Sequence, residues 1–331
     1  MNIVLINLGY IGDVINISPV ATALKKAYPE SKIIVITSPV SVNIAKCIPG
    51  VNDAVGFSRY KEHKGIKIFK FAFDFRKKYK PEMAIVLTEN FRAAFLGFLT
   101  GANKRLGRNS EGRGWLLTHR IPYTEEEKNL QIPVTDYYLK VLTPLKIDCS
   151  DKNLVVNIPE KDKQKMETVL QAQNKENHKL IGLCPATGTD GLVTAIKCWS
   201  TEEAASFIRY INQKGDSKVV IVGQDACSDF ADKLRKNGED NFIDLTNKTT
   251  VSELAATLKL FDKFISVDSA PMHLAVAVKT PTVCLFFQNN HKKWAPCDKV
   301  NNAVLYNFSG LRCNEIIDAF EKLPSKTMRE Y

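Results

Sequence analysis

Two hydrophobic patterns alternate along this chain. Short, mostly apolar runs stand at 3–8, 32–37, 83–88, 180–184, 218–222, 242–245, 264–267 and 282–287. Between them, at 14–28, 66–79, 91–99, 135–145, 200–213, 227–236, 251–260 and 314–323, apolar residues return every three or four positions. The apolar runs read as strands buried on both faces, and the periodic segments as helices with one face inward. Ser200-x-x-Glu203 and Thr250-x-x-Glu253 are capping-box matches that fix two helix starts. Strand and helix in alternation predict an α/β chain with parallel sheets covered on both sides. At 331 residues the chain has room for two domains. The polar stretch Asp148–Asn153 approaches a boundary, which predicts domains at 1–155 and 156–331. Each would be a Rossmann-like, doubly wound parallel sheet, the two facing a central cleft with ligands at the carboxyl ends of the strands. The last helix, Asn314–Leu323, is free to pack back on the first domain.

One segment adds chemistry to this frame. The run from Phe264 to Val267 stops at Asp268-Ser269, and Pro271 then opens a helix that carries His273. A strand running into an open helix N-terminus presents unpaired N–H donors and the positive end of a dipole, which suits a phosphate or diphosphate. An ordinary strand-to-helix packing turn has the same pattern, and both readings stay open on this segment alone. The loop Cys184-Pro-Ala-Thr-Gly-Thr-Asp-Gly191 also follows a strand and leads to Lys197, where a phosphate would sit. Gly223 follows a third strand and permits close backbone approach. In the first half, Leu8-Gly-Tyr-Ile-Gly-Asp13 lacks the G-x-G-x-x-G spacing of a dinucleotide site, which argues against hydride transfer. What remains is Asp13 at the mouth of the first strand, either a helix cap or a general base for an incoming hydroxyl.

The bulk composition narrows the field. With 44% hydrophobic and 25% charged residues, the chain is globular, and no stretch is apolar enough to span a bilayer. The start, Met1-Asn-Ile-Val-Leu-Ile, leads straight into a strand without a basic n-region, so a cytoplasmic protein is expected. Eight scattered cysteines, none in a C-x-x-C pair, read as reduced residues, and no cluster has metal-ligand spacing. The net charge of +10 favours an anionic partner. Lys104, Arg105, Arg108 and Arg113, set among glycines, are the ligand candidates. The lysine-rich run 61–80 reads as a solvated surface, its Phe69, Phe71, Phe73, Phe75 and Tyr79 packing one helix face inward. Aromatics in core positions argue against nucleic acid.

Taken together, Asp268–Phe286 resembles the signature of glycosyltransferase family 9, the ADP-heptose:lipopolysaccharide heptosyltransferases. Gly12-Asp-Val14 with Pro19 and Leu24, Lys197-x-Trp199, Leu245–Thr249 and Trp294-Ala-Pro296 fit the same family in order along the chain. The resemblance implies a GT-B fold and inverting, metal-independent transfer, with no cofactor beyond the nucleotide sugar, expected to be ADP-heptose. It implies Asp13, beside Gly12, as the base. Lys197 and Thr187 or Thr189 would contact the donor phosphates, with Gly223 close by and Asp225 or Asp229 as the expected acidic partner. Asp268, Ser269, Ala270 and His273 would line the diphosphate and sugar. The region from Arg92 to Arg113 would hold an anionic glycolipid, at the inner face of the cytoplasmic membrane. This chain departs from the family at Asn7, usually basic, and at Ala270, Lys279 and Phe287, usually glycine. A same-fold enzyme using a UDP-linked sugar, or an inactive nucleotide-sugar-binding relative, is the alternative.

Overall fold

The computed structural model describes residues 1–58, 66–129, 131–187, 197–307 and 310–325. The chain divides into two compact units, Met1–Asn157 and Ile158–Tyr331. In the first, strands β1 (Asn2–Asn7), β2 (Lys32–Thr37), β3 (Val51–Gly56), β4 (Met83–Val86), β5 (Lys104–Arg108) and β6 (His119–Ile121) form one sheet in the order β3-β2-β1-β4-β5-β6. Every pairing is parallel. The second holds β7 (Lys179–Cys184), β8 (Ser217–Ile221), β9 (Ile243–Asp244), β10 (Lys263–Val267), β11 (Thr282–Phe286) and β12 (Asn302–Tyr306). Its order, β12-β11-β10-β7-β8-β9, is parallel throughout. In each sheet the winding direction reverses once, between β1 and β4 and between β7 and β10. A crevice opens at the carboxyl ends of the strands at such a point.

The central strands are buried on both faces. Leu5 lies beside Val35 and Ile85 in register, and Ile265 beside Leu183 and Val283. All six residues are fully enclosed. Among the described residues, no helix is long and apolar enough to cross a membrane.

Four local expectations change. The segment 14–28 is two helices, Ile11–Ile15 and Ser18–Ala27, because Asn16 donates from Nδ2 to the Gly12 carbonyl at 2.8 Å and Pro19 sits in the first turn of the second. The segment 135–145 is α-helical only over Val134–Leu139, then continues as a 3₁₀ turn through Pro144. The last helix, Cys313–Lys322, packs within its own unit, where Phe320 meets Phe207 edge-on at 5.4 Å. In the helix Ile66–Tyr79 only some of the aromatics point inward: Phe75 is buried, whereas Phe69 and Phe73 face solvent.

Candidate active site

At the reversal point of the second sheet, the strand ends bring the expected residues together. Ser269 is the N-cap of the helix Ala270–Ala277, with extended backbone (φ −157°), and makes no capping bond. Its hydroxyl turns instead to the Ser266 hydroxyl at 3.0 Å, so the helix's first-turn N–H groups take no acceptor from it. The Ala270 position keeps an N–H, which is what an anion would use. Beside this terminus Lys197 Nζ lies 2.7 Å from Asp268 Oδ2, and Asn290 Nδ2 donates to the same oxygen at 2.8 Å. His273 is buried one turn into the helix, edge-on to Trp294 at 5.9 Å. Burial pushes its imidazole down to about 4; Asp268 opposes this and Lys197 adds to it. A neutral imidazole at physiological pH can donate or accept a hydrogen bond but brings no charge.

The loop before Lys197 is pinned at its base. Trp199 N–H donates to the Pro185 carbonyl at 2.8 Å, and Ala186 pairs with Cys198. Thr187 is half-buried at the near end of that loop, while Thr189 lies outside the described residues. Gly223, at φ +132°, occupies a conformation that L side chains rarely adopt. A Cβ there would lie 2.5 Å from the Cys227 sulfur. That sulfur sits 3.8 Å from the Cys184 sulfur, which in turn lies 4.0 Å from the Ser269 hydroxyl. Asp225 and Asp229 are both exposed, the first opening the helix Asp225–Lys236 just after Gly223. Among the described residues no group of His, Cys, Asp and Glu could hold a metal ion.

In the first unit the reversal point holds Asp13. The carboxylate accepts from its own helix start, Tyr10 N–H, at 3.0 Å, and remains half-exposed beside Gly12. Leu8 N–H donates to the Thr88 hydroxyl at 2.7 Å, tying the loop after β1 to the loop after β4. Asn7 is buried at the end of β1 and accepts from Gly9 N–H at 2.9 Å. Tyr138 is buried nearby. Burial and the Asp13 charge hold its phenol well above its usual range, while the Asn7 amide opposes them.

The acceptor assignment needs correction. Arg108 is buried in a bidentate pair with Glu127, at 2.7 and 3.1 Å, so its charge is used inside the unit. Arg113 is also buried, donating to the Thr88 and Asn90 carbonyls at 2.6 and 3.1 Å, which holds the loop after β4 in place. Lys104 and Arg105 stand at the amino end of β5, the edge opposite the strand-end crevice, and Arg105 donates to the Ala102 and Leu116 carbonyls. Arg92, half-exposed on the first turn of the helix Phe91–Leu99, is the member of the set at the carboxyl edge.

Several site residues escape a reading of the sequence. Glu89 follows β4 as Asp13 follows β1, and accepts from the Tyr123 hydroxyl at 2.6 Å. Tyr137 donates to Tyr123 at 3.0 Å, and burial with Glu89 pushes the Tyr123 phenol up to about 12. A carboxylate just past an apolar run was the available signal for Glu89. Asn290 and the Cys184–Cys227 pair had none, because only the fold brings them in.

The sequence profile described as Glycosyltransferase family 9 (heptosyltransferase) matches residues 72–323, a span that holds Lys197 and the Asp268–Phe286 block. The chain is similar to lipopolysaccharide heptosyltransferase 3 of Escherichia coli, 27% identical over 295 residues that cover 86% of this chain and 83% of that one. It resembles the crystal structure of the glycosyl transferase family 9 from Veillonella parvula, with a TM-score of 0.85 at 22% identity, covering 97% and 96% of the two chains. It also resembles Escherichia coli ADP-heptose lps heptosyltransferase II, with a TM-score of 0.77 at 18% identity, covering 97% and 98%. The structural likenesses establish the fold, which is of the GT-B class.

Proposed function

Because the chain belongs to glycosyltransferase family 9, the heptosyltransferase family, we propose that it moves a heptose from ADP-heptose to the inner core of a lipopolysaccharide. Transfer inverts the anomeric carbon and needs no metal. In this reading the second unit holds the donor, and the first holds the acceptor and the base. The acceptor is an anionic glycolipid, so the enzyme works at the inner face of the cytoplasmic membrane, and Arg92 contacts it. Nucleic acid has no part in the reaction.

Asp13 takes the proton of the acceptor hydroxyl as that oxygen attacks the anomeric carbon. The bond from that carbon to the diphosphate breaks, and its electron pair leaves on the phosphate oxygen. The growing charge meets the open N-terminus of the Ala270–Ala277 helix, the Ser269 hydroxyl and Lys197, with Thr187 or Thr189 and Gly223 alongside. Such fixed donors and charges do the work a metal does elsewhere, without reorganising as the charge develops. Asp268 positions Lys197 through their 2.7 Å contact, and the neutral His273 hydrogen-bonds the sugar or phosphate. The observation that carries this reading is Lys197 beside an uncapped helix N-terminus at the reversal point of the second sheet.

Mass spectrometry of products from ADP-heptose, offered with lipopolysaccharide core oligosaccharide, tests the reaction. Calorimetry with ADP, UDP and GDP tests the donor base, and a preference for UDP would replace the heptosyl reading. Donor hydrolysis or binding without transfer would leave only a nucleotide-sugar-binding protein. Asp13→Ala should lower the transfer rate about 10²- to 10⁴-fold and leave ADP affinity nearly intact. A rate that survives a chelator supports metal independence, and one that falls and returns with magnesium ends it.

A further inference from the structure

The helices that cover one face of the first sheet carry a second apolar surface, directed away from the core. In the helix Ile66–Tyr79, Ile68, Ala72 and Phe75 are buried. Ile66, Phe69 and Phe73 point the other way, with Ile66 82% and Phe73 66% exposed. From Phe69 a run of ring contacts passes through Phe95, Phe91 and Trp115 to Phe98, with centroids 6.0, 6.0, 6.3 and 6.4 Å apart. Trp115, in this run, is 61% exposed. Lys70, Arg76 and Lys77 share the outer helix face with these rings, at i+4 and i+7 spacings from Ile66, Phe69 and Phe73. The guanidinium of Arg105 lies 5.3 Å over the Phe98 ring. Residues 66–80 hold six basic side chains against the single acidic Asp74.

Contiguous exposed rings rimmed by charge mark an interaction surface. The charge is of one sign, so the partner is anionic. The apolar groups include an aliphatic side chain, and the rings pack on one another rather than standing apart as platforms for bases. A face of aromatic and aliphatic groups edged by lysine and arginine is what settles into the headgroup boundary of an anionic bilayer. Both helices start at the carboxyl edge of the first sheet, the edge that carries Asp13, since each precedes or follows β4 in an α/β crossover.

We propose that this aromatic–lysine face docks on an anionic phospholipid surface. Ile66, Phe69, Phe73, Phe91, Phe98 and Trp115 enter the interfacial layer, and Lys70, Arg76 and Lys77 meet the phosphates. The first unit then lies with the outer face of these two helices against the bilayer, the surface that carries a lipid-anchored acceptor. The proposal deepens the glycolipid reading and rests on it for its purpose, but its test uses no nucleotide sugar, so either can fail alone.

The test is cosedimentation of the full chain with vesicles of phosphatidylglycerol and phosphatidylcholine, and with phosphatidylcholine alone. Binding is expected to the anionic vesicles, weaker in high salt. Lys70→Ser and Lys77→Ser should each lower the partition coefficient about fivefold. Phe73→Ser combined with Trp115→Ser should lower it at least roughly tenfold. All four positions are exposed, so melting temperature should hold, as should turnover on soluble core oligosaccharide. Absence of binding to anionic vesicles overturns the proposal, as does unchanged binding by the Phe73→Ser/Trp115→Ser protein. Dimerisation or single-stranded RNA binding that these substitutions abolish, without vesicle binding, assigns the face to another partner and overturns it equally.

Discussion

Gly9→Ala tests Asp13 by displacing the carboxylate rather than removing it. A Cβ at residue 9 would lie 2.5 Å from the Asp13 Cβ and 2.7 Å from its Cγ and Oδ2. Carbon atoms settle at roughly 3.5–4.0 Å, so the Asp13 side chain has to retreat by about 1 Å. It has little freedom to do so, because Tyr10 N–H holds Oδ2 at 3.0 Å and the residue sits in the first turn of its helix. Gly9 is not among the glycines at positive φ, so alanine meets no backbone strain there. A misplacement of about 1 Å costs on the order of 10²-fold in rate. Gly9→Ala should therefore lower kcat about 100-fold, whereas Asp13→Ala, which removes the base, should cost about 10²- to 10⁴-fold. The assay is single-turnover transfer followed by mass spectrometry, with ADP affinity from calorimetry and a melting curve run in parallel. ADP affinity should not change, because the proposed donor contacts belong to the second unit. A folded Gly9→Ala protein with wild-type kcat refutes the reasoning. So does a rate loss matched by an equal loss of ADP binding.

Three further outcomes follow from the geometry. His273 is buried with its pKa lowered to about 4 from 6.5, so its stability contribution is complete above pH 6.5 and is lost as pH falls toward 4. Urea unfolding should show about 2 kcal/mol less stability at pH 5 than at pH 7.5 from this residue, and His273→Gln should flatten that slope. Arg108→Met strands the buried Glu127, which keeps only Lys140 at 3.1 Å and the Thr124 N–H. It should cost about 3 kcal/mol while leaving the acceptor KM unchanged, and a stable variant with raised acceptor KM would restore the arginine's ligand role. Lys279 holds φ +61° just past the Ala270–Ala277 helix. Lys279→Gly should raise stability by about 0.5–1 kcal/mol in thermal unfolding, and a loss there would mean that the lysine side chain makes up for the strain.

Which parts of the fold were legible follows from where each strand lies. β1, β2, β4, β7, β8, β10 and β11, and the edge strand β9, are read from their mostly apolar runs, because a strand buried on both faces carries few polar residues. β3, β5, β6 and β12 sit toward the sheet edges and carry Asn52, Asp53, Lys104, Arg105, His119 and Asn302. Their pattern is that of a loop until a neighbour supplies the ladder. The helix Glu160–Gln173 buries only Asp162, Met166 and Leu170, too little to stand out as periodic. The site divides in the same way. Asp268 to His273 and Asp13 are legible because a strand and a helix start adjoin them in sequence. Gly9, Glu89, Tyr138, Asn290 and the Cys184–Cys227 pair gain meaning only from neighbours far along the chain.

The basic stretches divide differently, because arginines of the second are the more deeply buried. Arginine among glycines was assigned to a ligand, yet Arg108 and Arg113 are the buried members. A guanidinium has five donors in a fixed plane, which here go from Arg108 to Glu127 and the Pro122 and Tyr137 carbonyls, and from Arg113 to the Arg108, Thr88 and Asn90 carbonyls. The aromatic lysine run keeps its solvated face, but only some of its rings pack inward. That outcome was implicit in the spacing. In a helix of 3.6 residues per turn, side chains two apart stand roughly 200° from one another. Phe69, Phe71, Phe73 and Phe75, at every second position, therefore cannot share one face. Phe75 goes to the core with Phe71 packed against it, which sends Phe69 and Phe73 outward among Lys70 and Lys77. A period of two inside a helix marks a segment with two apolar faces, and a helix at the surface of a unit can bury one of them at most by folding. Among the described residues the second, with Ile66, Phe69 and Phe73, stays exposed, and Lys70 and Lys77 stand beside it.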